Sequence, residues 1–424
     1  MAKENNPDPT ETETALLRAS RFGLSATLAL LPAYVLRFQI GPVPSTALEV
    51  LVAITIVLYV AGQWQEGKRR PIRTPLDIPI LLLLLAGAIA VVIPADRLGA
   101  AGHYRAYFIE PILLFYVAID LMHTPRDFRT VLIGFGLGST AFALLNLGAW
   151  AVALAQNDVN IRAAPEAIYT SPNSVALYLE PAVGLALGLV LFGPDGIARK
   201  LALAWLAVLT VASILTLSRG LYAAFGFVIL FAVITLTSLR VRLAIIGAAV
   251  VATFGALQVP YISVRVFGQH GPETTLGSLQ QRLSIWTSSL HLIRDHPIFG
   301  IGLRAYQKAI VPYVLPGEIP ELYPHNVWLA FWVQLGLLGL LSFIYIWVSL
   351  VIRGWSAFVG ATGLTKAILW GVLAGLTMFA VHGMVDTPYY KNDLAIEFWM
   401  LAALDVAAIN AIATRPGEGT RVHA

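Results

Sequence analysis

The sequence predicts an all-α polytopic membrane protein: about twelve transmembrane helices and one large loop that carries an amphipathic helix. Three observations predict it. Of the 424 residues, 58% are hydrophobic and only 12% charged, against about 25% charged in soluble domains. The mean hydropathy is +0.74. Apolar runs, each about long enough to cross a ~30 Å hydrocarbon core, recur along the whole chain with short polar breaks between them.

Taken in order, the runs place spans at 20–36, 45–63, 77–93, 104–121, 130–154, 173–192, 201–217, 221–237, 242–258, 325–351, 367–385 and 394–412. Residues 1–258 thus hold spans one to nine, 259–324 form the large loop, 325–412 hold spans ten to twelve, and 413–424 form a cytoplasmic tail. The polar, acidic start Met1–Thr14 lacks a signal-peptide pattern, so the first span is expected to stay in the protein. Lysine and arginine set the orientation. Lys68, Arg69, Arg70, Arg73, Arg126, Arg129, Arg199, Lys200, Arg240, Arg242, Arg353 and Lys366 fall on one side, which is cytoplasmic by the positive-inside rule. Both termini are then cytoplasmic and the large loop faces the periplasm. The net charge of +4 is a topology signal and implies no nucleic-acid partner. The absence of cysteine excludes thiol catalysis, disulfides and cysteine-ligated metal.

Within the loop, Gly268–Pro272 breaks the chain. Leu279, Leu283, Trp286, Leu290 and Ile293 then recur at spacings of four and three, which predicts an amphipathic helix over 276–295. Asp295-His296-Pro297 ends it. Pro312, Pro316, Pro320 and Pro324 keep the remainder irregular, with at most short helices. A loop of this length in a compact membrane protein is usually functional, and the pattern reads as a helical lid over a cavity between spans.

The ionisable residues at the loop-side membrane edge carry the chemistry. Arg219 sits in Thr216-Leu217-Ser218-Arg219-Gly220, a tight break between two spans on the side that the positive-inside rule depletes of cations. It is either a snorkelling side chain or an anion site facing a cavity. Arg282 lies on the lid helix, where a solvated position competes with the same role; Arg105 and Arg162 stand near other membrane edges. Several guanidiniums at one surface suggest phosphate or diphosphate, which arginine's planar fork grips through paired oxygens. No Asp-x-Asp occurs to hold a divalent metal instead, so neutralisation without metal is the expectation, and no cofactor is implied. His325 follows Pro324 and opens a span, beside Asn326. Its ordinary pKa near ~6.5 suits taking a proton from a hydroxyl, while a single interfacial hydrogen bond is the plainer alternative. His382 and Asp386, four apart, share a helix face and are expected to make a structural hydrogen bond.

Leu217-Ser218-Arg219-Gly220, Arg282…Trp286…Asp295-His296-Pro297-Ile298-Phe299-Gly300-Ile301-Gly302 and Pro324-His325-Asn326…Gly336-Leu337-Leu338-Gly339 together resemble the O-antigen ligase/polymerase superfamily. The stretch Tyr169–Leu177 and the ending Val381-His382-Gly383-Met384-Val385-Asp386 are similar to it as well. The resemblance covers roughly residues 100–412. It implies a GT-C-type glycosyltransferase in the bacterial inner membrane, with its active site facing the periplasm. The donor would be a glycan on undecaprenyl diphosphate and the acceptor the lipid A–core of lipopolysaccharide. Arg219 and Arg282 would clamp the diphosphate, with Arg105 and Arg162 as further contacts. His325 would accept the acceptor's proton in one inverting displacement, with Asn326, His382 and Asp386 as secondary candidates. The single dominant loop favours the ligase branch over the polymerases, because the second candidate loop, 155–172, is short. A transporter of polyprenyl-linked glycans remains the reading from another class; it needs no histidine beside the arginines.

Overall fold

The computed structural model describes residues 14–41, 43–67, 72–160, 164–236, 238–267, 275–315 and 318–413. The breaker Gly268–Pro272 and the tail 414–424 lie outside them. The regular elements of the described chain are helices and one two-stranded antiparallel hairpin, β1 (Arg37–Ile40) and β2 (Val43–Thr46), in which Arg37 pairs with Thr46. The helices are α1 (Ala15–Ala29), α2 (Ala47–Gln65), α3 (Asp77–Val92), α4 (Arg97–Tyr104), α5 (Glu110–Leu121), α6 (Pro125–Ala155), α7 (Pro172–Phe192), α8 (Ile197–Leu215), α9 (Arg219–Thr235), α10 (Leu239–Leu257), α11 (Pro260–Phe267), α12 (Thr275–Asp295), α13 (Tyr306–Ala309), α14 (Val327–Gly360), α15 (Gly363–Gly383) and α16 (Asn392–Ala413). A π turn at Arg105–Ile109 joins α4 to α5.

Eight of these, α2, α6, α7, α8, α10, α14, α15 and α16, are long and apolar enough to cross a membrane, which makes this a multi-pass membrane architecture. Two more, α3 and α9, are apolar but shorter. The other two predicted spans fall on α1, which stops at Ala29 before Pro32, and on the π turn with α5. The lid helix expected over 276–295 is α12, displaced by one residue at its start.

The centre of the bundle is the pair α7 and α15, with α16 packed on both and on α5. Small residues bring α7 and α15 together: a Cβ at Gly188 would lie 2.3 Å from the Ala367 carbonyl oxygen. Backbones this close suit helices in lipid, where van der Waals contact replaces the hydrophobic drive. The approach also sets Glu180 of α7 opposite His382 of α15.

Helix α14 is broken at Gly336, whose φ of 71° and ψ of −172° leave the helical region. The loop after α12 fills the break. Leu337 N–H donates to the Ile298 carbonyl (3.0 Å) and Ile301 N–H to that of Val333 (2.8 Å). Trp332 Nε1 donates to the Pro297 carbonyl (2.9 Å). A Cβ at Gly336 would meet the Ile298 oxygen at 2.1 Å, so glycine is required there. Leu303 N–H reaches the Ala90 carbonyl of α3 (2.9 Å). The glycine-rich segment 296–303 is therefore a plug that locks α12 onto α14 and α3, and its motif is accounted for by packing.

Candidate active site

The site lies where α9, α14 and α15 end against α12. Asn326 caps α14: its Oδ1 accepts from the N–H groups of Trp328 (3.0 Å) and Leu329 (3.1 Å), and its Nδ2 donates to the Met384 carbonyl (3.0 Å). The cap satisfies helix-end donors and ties α14 to the end of α15. It leaves His325, just before the cap, in the left-handed region at φ 48°, a strained conformation of the kind that clusters at functional sites. The His325 carbonyl accepts from Trp286 Nε1 of α12 (3.3 Å), so the lid helix holds the histidine's backbone.

Two carboxylates flank the imidazole. Asp386 Oδ1 is 3.4 Å from Nδ1 and Glu321 Oε2 is 3.8 Å from Nε2. Asp386 is buried and accepts from Thr387 N–H (2.8 Å). Burial pulls the His325 pKa down, but the hydrogen bonds and charges of Asp386 and Glu321 outweigh it and push it up to about 9. The same pairing overcomes the opposing effect of burial and holds Asp386 well below the usual carboxylate range. The attraction of the nearby His325 likewise lowers Glu321. At neutral pH the resting set is two carboxylates around an imidazolium, with a net charge of −1.

The hydrogen bond between Asp386 and His382 is made by the backbone, Asp386 N–H donating to the His382 carbonyl (2.9 Å), while their side chains take other partners. The His382 ring is fully buried; its Nδ1 is 2.5 Å from Glu180 Oε1 and its Nε2 is 3.5 Å from Ser218 Oγ. The bundle offers His382 a carboxylate across the α7–α15 contact, and Asp386, past the end of α15, turns to His325. Ser218 caps α9, and Arg219 is the helix's first residue, at the end that carries positive partial charge. Gly220 makes room: a Cβ there would meet His382 Cδ2 at 2.4 Å. Arg219 and Arg282 are both half-buried, and the Arg282 guanidinium is within electrostatic reach of His382. His325, Asp386, His382 and Arg282 thus converge, and Arg219 adjoins His382 through Ser218.

Arg105 is engaged elsewhere. It bridges Glu49 (2.7 Å) and Glu110 (3.1 Å) and donates to the Pro44 carbonyl (3.1 Å). Arg162 lies outside the described residues. Among those described, no three His, Asp or Glu side chains stand close enough to share a metal ion.

Four functional candidates escaped the sequence: Glu180, Ser218, Glu321 and Lys391. Lys391 donates to Ser174 Oγ, lies 5.5 Å from the Tyr169 ring centre and is within electrostatic reach of Asp386. Burial lowers its pKa from the ordinary value. Glu321 carried a weak signal, since it stands four residues before His325; Glu180 carried only its improbable place inside an apolar run.

A comparison with protein families matches residues 202–344 to the family described as O-Antigen ligase. The matched segment contains Arg219, Arg282, Glu321 and His325, and the match supports the O-antigen ligase superfamily for this chain. No curated protein matches the chain.

Proposed function

We propose that this protein is an O-antigen ligase, transferring a glycan from undecaprenyl diphosphate to a hydroxyl of lipid A–core at the periplasmic face of the inner membrane. The observation that carries the reading is the imidazole of His325 held between Asp386 and Glu321 by a loop anchored to the arginine-bearing lid helix. Arg219 and Arg282 neutralise the diphosphate as it leaves with the electron pair of the sugar–oxygen bond. The acceptor oxygen attacks the anomeric carbon from the opposite face in one step, inverting it, and no metal is needed.

The proton goes to the carboxylate–imidazole–carboxylate set. As an imidazolium, His325 cannot take a second proton, but the set as a whole carries a negative charge and can. The attacking hydroxyl becomes strongly acidic as its oxygen bonds to carbon, so a carboxylate is basic enough to receive its proton late in the step. Glu321, on the Nε2 side, is the first acceptor, and His325 shares the proton within the set. Asp386 fixes the ring from Nδ1 in the manner of an orienting carboxylate.

The test is a transfer assay with purified protein, undecaprenyl-diphosphate glycan and lipid A–core, with a chelator present, comparing wild type with Arg219→Ala and His325→Ala. Glycan on the core from wild type alone supports the reading. Elongation of the lipid-linked glycan in place of core capping moves the assignment to polymerase. Folded variants that keep full transfer activity refute the residue roles.

A further inference from the structure

A cavity of about 300 Å³ lies between α12 and residues of 306–315 and 318–321, walled by Gln281, Ile285, Tyr306, Ile310, Glu318 and Glu321. We infer that this groove binds a hexose-sized residue of the acceptor, with Glu321 at its inner end guiding a sugar hydroxyl to His325. The inference rests on the transferase reading above and adds where the acceptor sits and what recognises it.

Four observations carry it. Helix α12 presents two separate stripes. Gln281, Ser284, Ile285 and Ser288 face the groove and its residues Glu321, Glu318 and Tyr313, whereas on the adjacent stripe Trp286 donates to the His325 carbonyl and Arg282 is within electrostatic reach of His382. One helix therefore separates the cationic side, suited to diphosphate, from the groove.

The groove is also built rather than incidental. Ser284 Oγ donates to both oxygens of Glu318 (2.7 and 2.9 Å), Ser288 Oγ to the Tyr313 carbonyl (2.9 Å), and Tyr306 OH lies 2.8 Å from Ser289 Oγ. These bonds fix both walls before any ligand arrives.

Its chemistry is that of a sugar site. Carboxylate and amide groups at the rim accept from and donate to hydroxyls, while Ile285 and Ile310 offer apolar surface to the C–H face of a ring. The groove's described lining holds no cation and two carboxylates, so it repels phosphate and takes neutral or amino sugars. Its volume stands at the small end of the ~300–1,000 Å³ range of ligand pockets, enough for one sugar unit or two small ones.

Finally, the groove leads to the reacting group. Gln281 Nε2 donates to Glu321 Oε1 (3.3 Å), and the other Glu321 oxygen faces His325 Nε2. A hydroxyl bound to Glu321 from the groove side reaches the proton-accepting set directly.

The experiment uses full-length protein in detergent and core oligosaccharide released from lipopolysaccharide by mild acid, with binding read by calorimetry. Ile285→Trp on α12 and Val314→Trp, which lines the groove on the facing side, fill it from opposite walls, and melting in detergent checks that each variant folds. Inorganic pyrophosphate binding reports the arginine side. Wild type should bind both probes. Each folded groove variant should bind the oligosaccharide at least ~10-fold more weakly, raise KM for the acceptor in transfer, and bind pyrophosphate as wild type does. Absence of oligosaccharide binding to wild type, or equal binding by wild type and both variants, overturns the groove assignment and leaves the transfer result standing. Loss of oligosaccharide binding in the variants, with no transfer by wild type, keeps the sugar site and refutes the transferase reading.

Discussion

Replacing Asp386 with Asn tests the charge state of the site. Asn keeps the shape and can still accept from Thr387 N–H, but it removes the charge 3.4 Å from His325 Nδ1. Raising the imidazole from 6.5 to about 9 corresponds to ~3.4 kcal/mol in favour of its charged form, at ~1.36 kcal/mol per tenfold change in proton affinity. The side chain keeps 32% of its surface exposed, and screening by water brings the usable figure to ~1–2 kcal/mol, shared between Asp386 and Glu321. The sign follows from linkage. A group whose pKa is raised by folding stabilises the protein fully below its unfolded value near 6.5, and this is lost as pH rises through about 9. Wild type should lose ~1–2 kcal/mol of stability between those limits from this group. Asp386→Asn should be the less stable protein near pH 6 and lose about half as much over the interval, Glu321 remaining. Thermal unfolding in detergent at half-unit pH steps, backed by ¹⁵N-histidine NMR titration, measures this. Parallel stability curves for the two proteins, with an unchanged His325 midpoint, would refute the argument.

Glu321→Gln removes the other charge. The His325 midpoint should fall in the same titration, and the rate of glycan transfer should drop by ~10²–10⁴, the usual contribution of a positioned proton acceptor. Arg219→Lys keeps the charge but loses the forked grip; one charge-assisted hydrogen bond of ~1.5–3 kcal/mol sets the expected loss at ~10–100-fold in kcat/KM for the lipid-linked donor, with melting unchanged. His382→Ala leaves Glu180 buried without its partner 2.5 Å away; a loss of ~3–5 kcal/mol is expected, read as a lowered melting midpoint and partly restored by adding Glu180→Gln. Gly336→Ala forces a Cβ to within 2.1 Å of the Ile298 oxygen at a positive φ. Backbone strain alone costs ~1–3 kcal/mol there, so detergent melting should show a clear loss of stability and proteolysis should cut first near the 296–303 plug.

What the sequence made legible divides along a physical line. Helices could be read because each carries its signal locally: a long apolar run, a proline that stops it, or a 3-4 spacing such as Leu283, Trp286, Leu290 and Ile293. Arg219, Arg282 and His325 were legible for a related reason: a charge at a membrane edge is costly, so its presence alone is information. The partners were not legible, because they arrive from distant parts of the chain. Glu180 reaches His382 across 202 positions and Asp386 reaches His325 across 61. The four-residue spacing of His382 and Asp386 is met by a backbone hydrogen bond, while the close approach of α7 to α15 gives the His382 side chain to Glu180. Arg105, on sequence indistinguishable from an anion-binding residue, meets Glu49 and Glu110, which only the fold brings near. The Gly336 break was invisible in a continuous apolar run, since the helix is interrupted by a segment lying over 30 residues upstream.

That break bears on the site as well as on the fold. Helix α14 begins with the cap that holds His325, and the plug from the end of α12 enters α14 about three turns further along. The lid helix therefore grips α14 at two points, through Trp286 at the histidine and through residues 298–301 at the break. Two attachments to one helix restrict rotation of α12, which a single contact would not. Arg282 consequently keeps a fixed bearing on His382, while Gln281 and Ser284 keep theirs on Glu321 and Glu318. A rigid α12 is what allows one helix to keep the cationic side and the carboxylate-lined groove distinct. Disrupting the distal attachment should loosen the arginine stripe and the groove stripe together. Gly336→Ala protein that still folds is accordingly expected to weaken pyrophosphate and core-oligosaccharide binding in parallel, although no residue touching either probe has changed. Weakening of only one of the two would show that the stripes move independently and that the double attachment does not set their geometry.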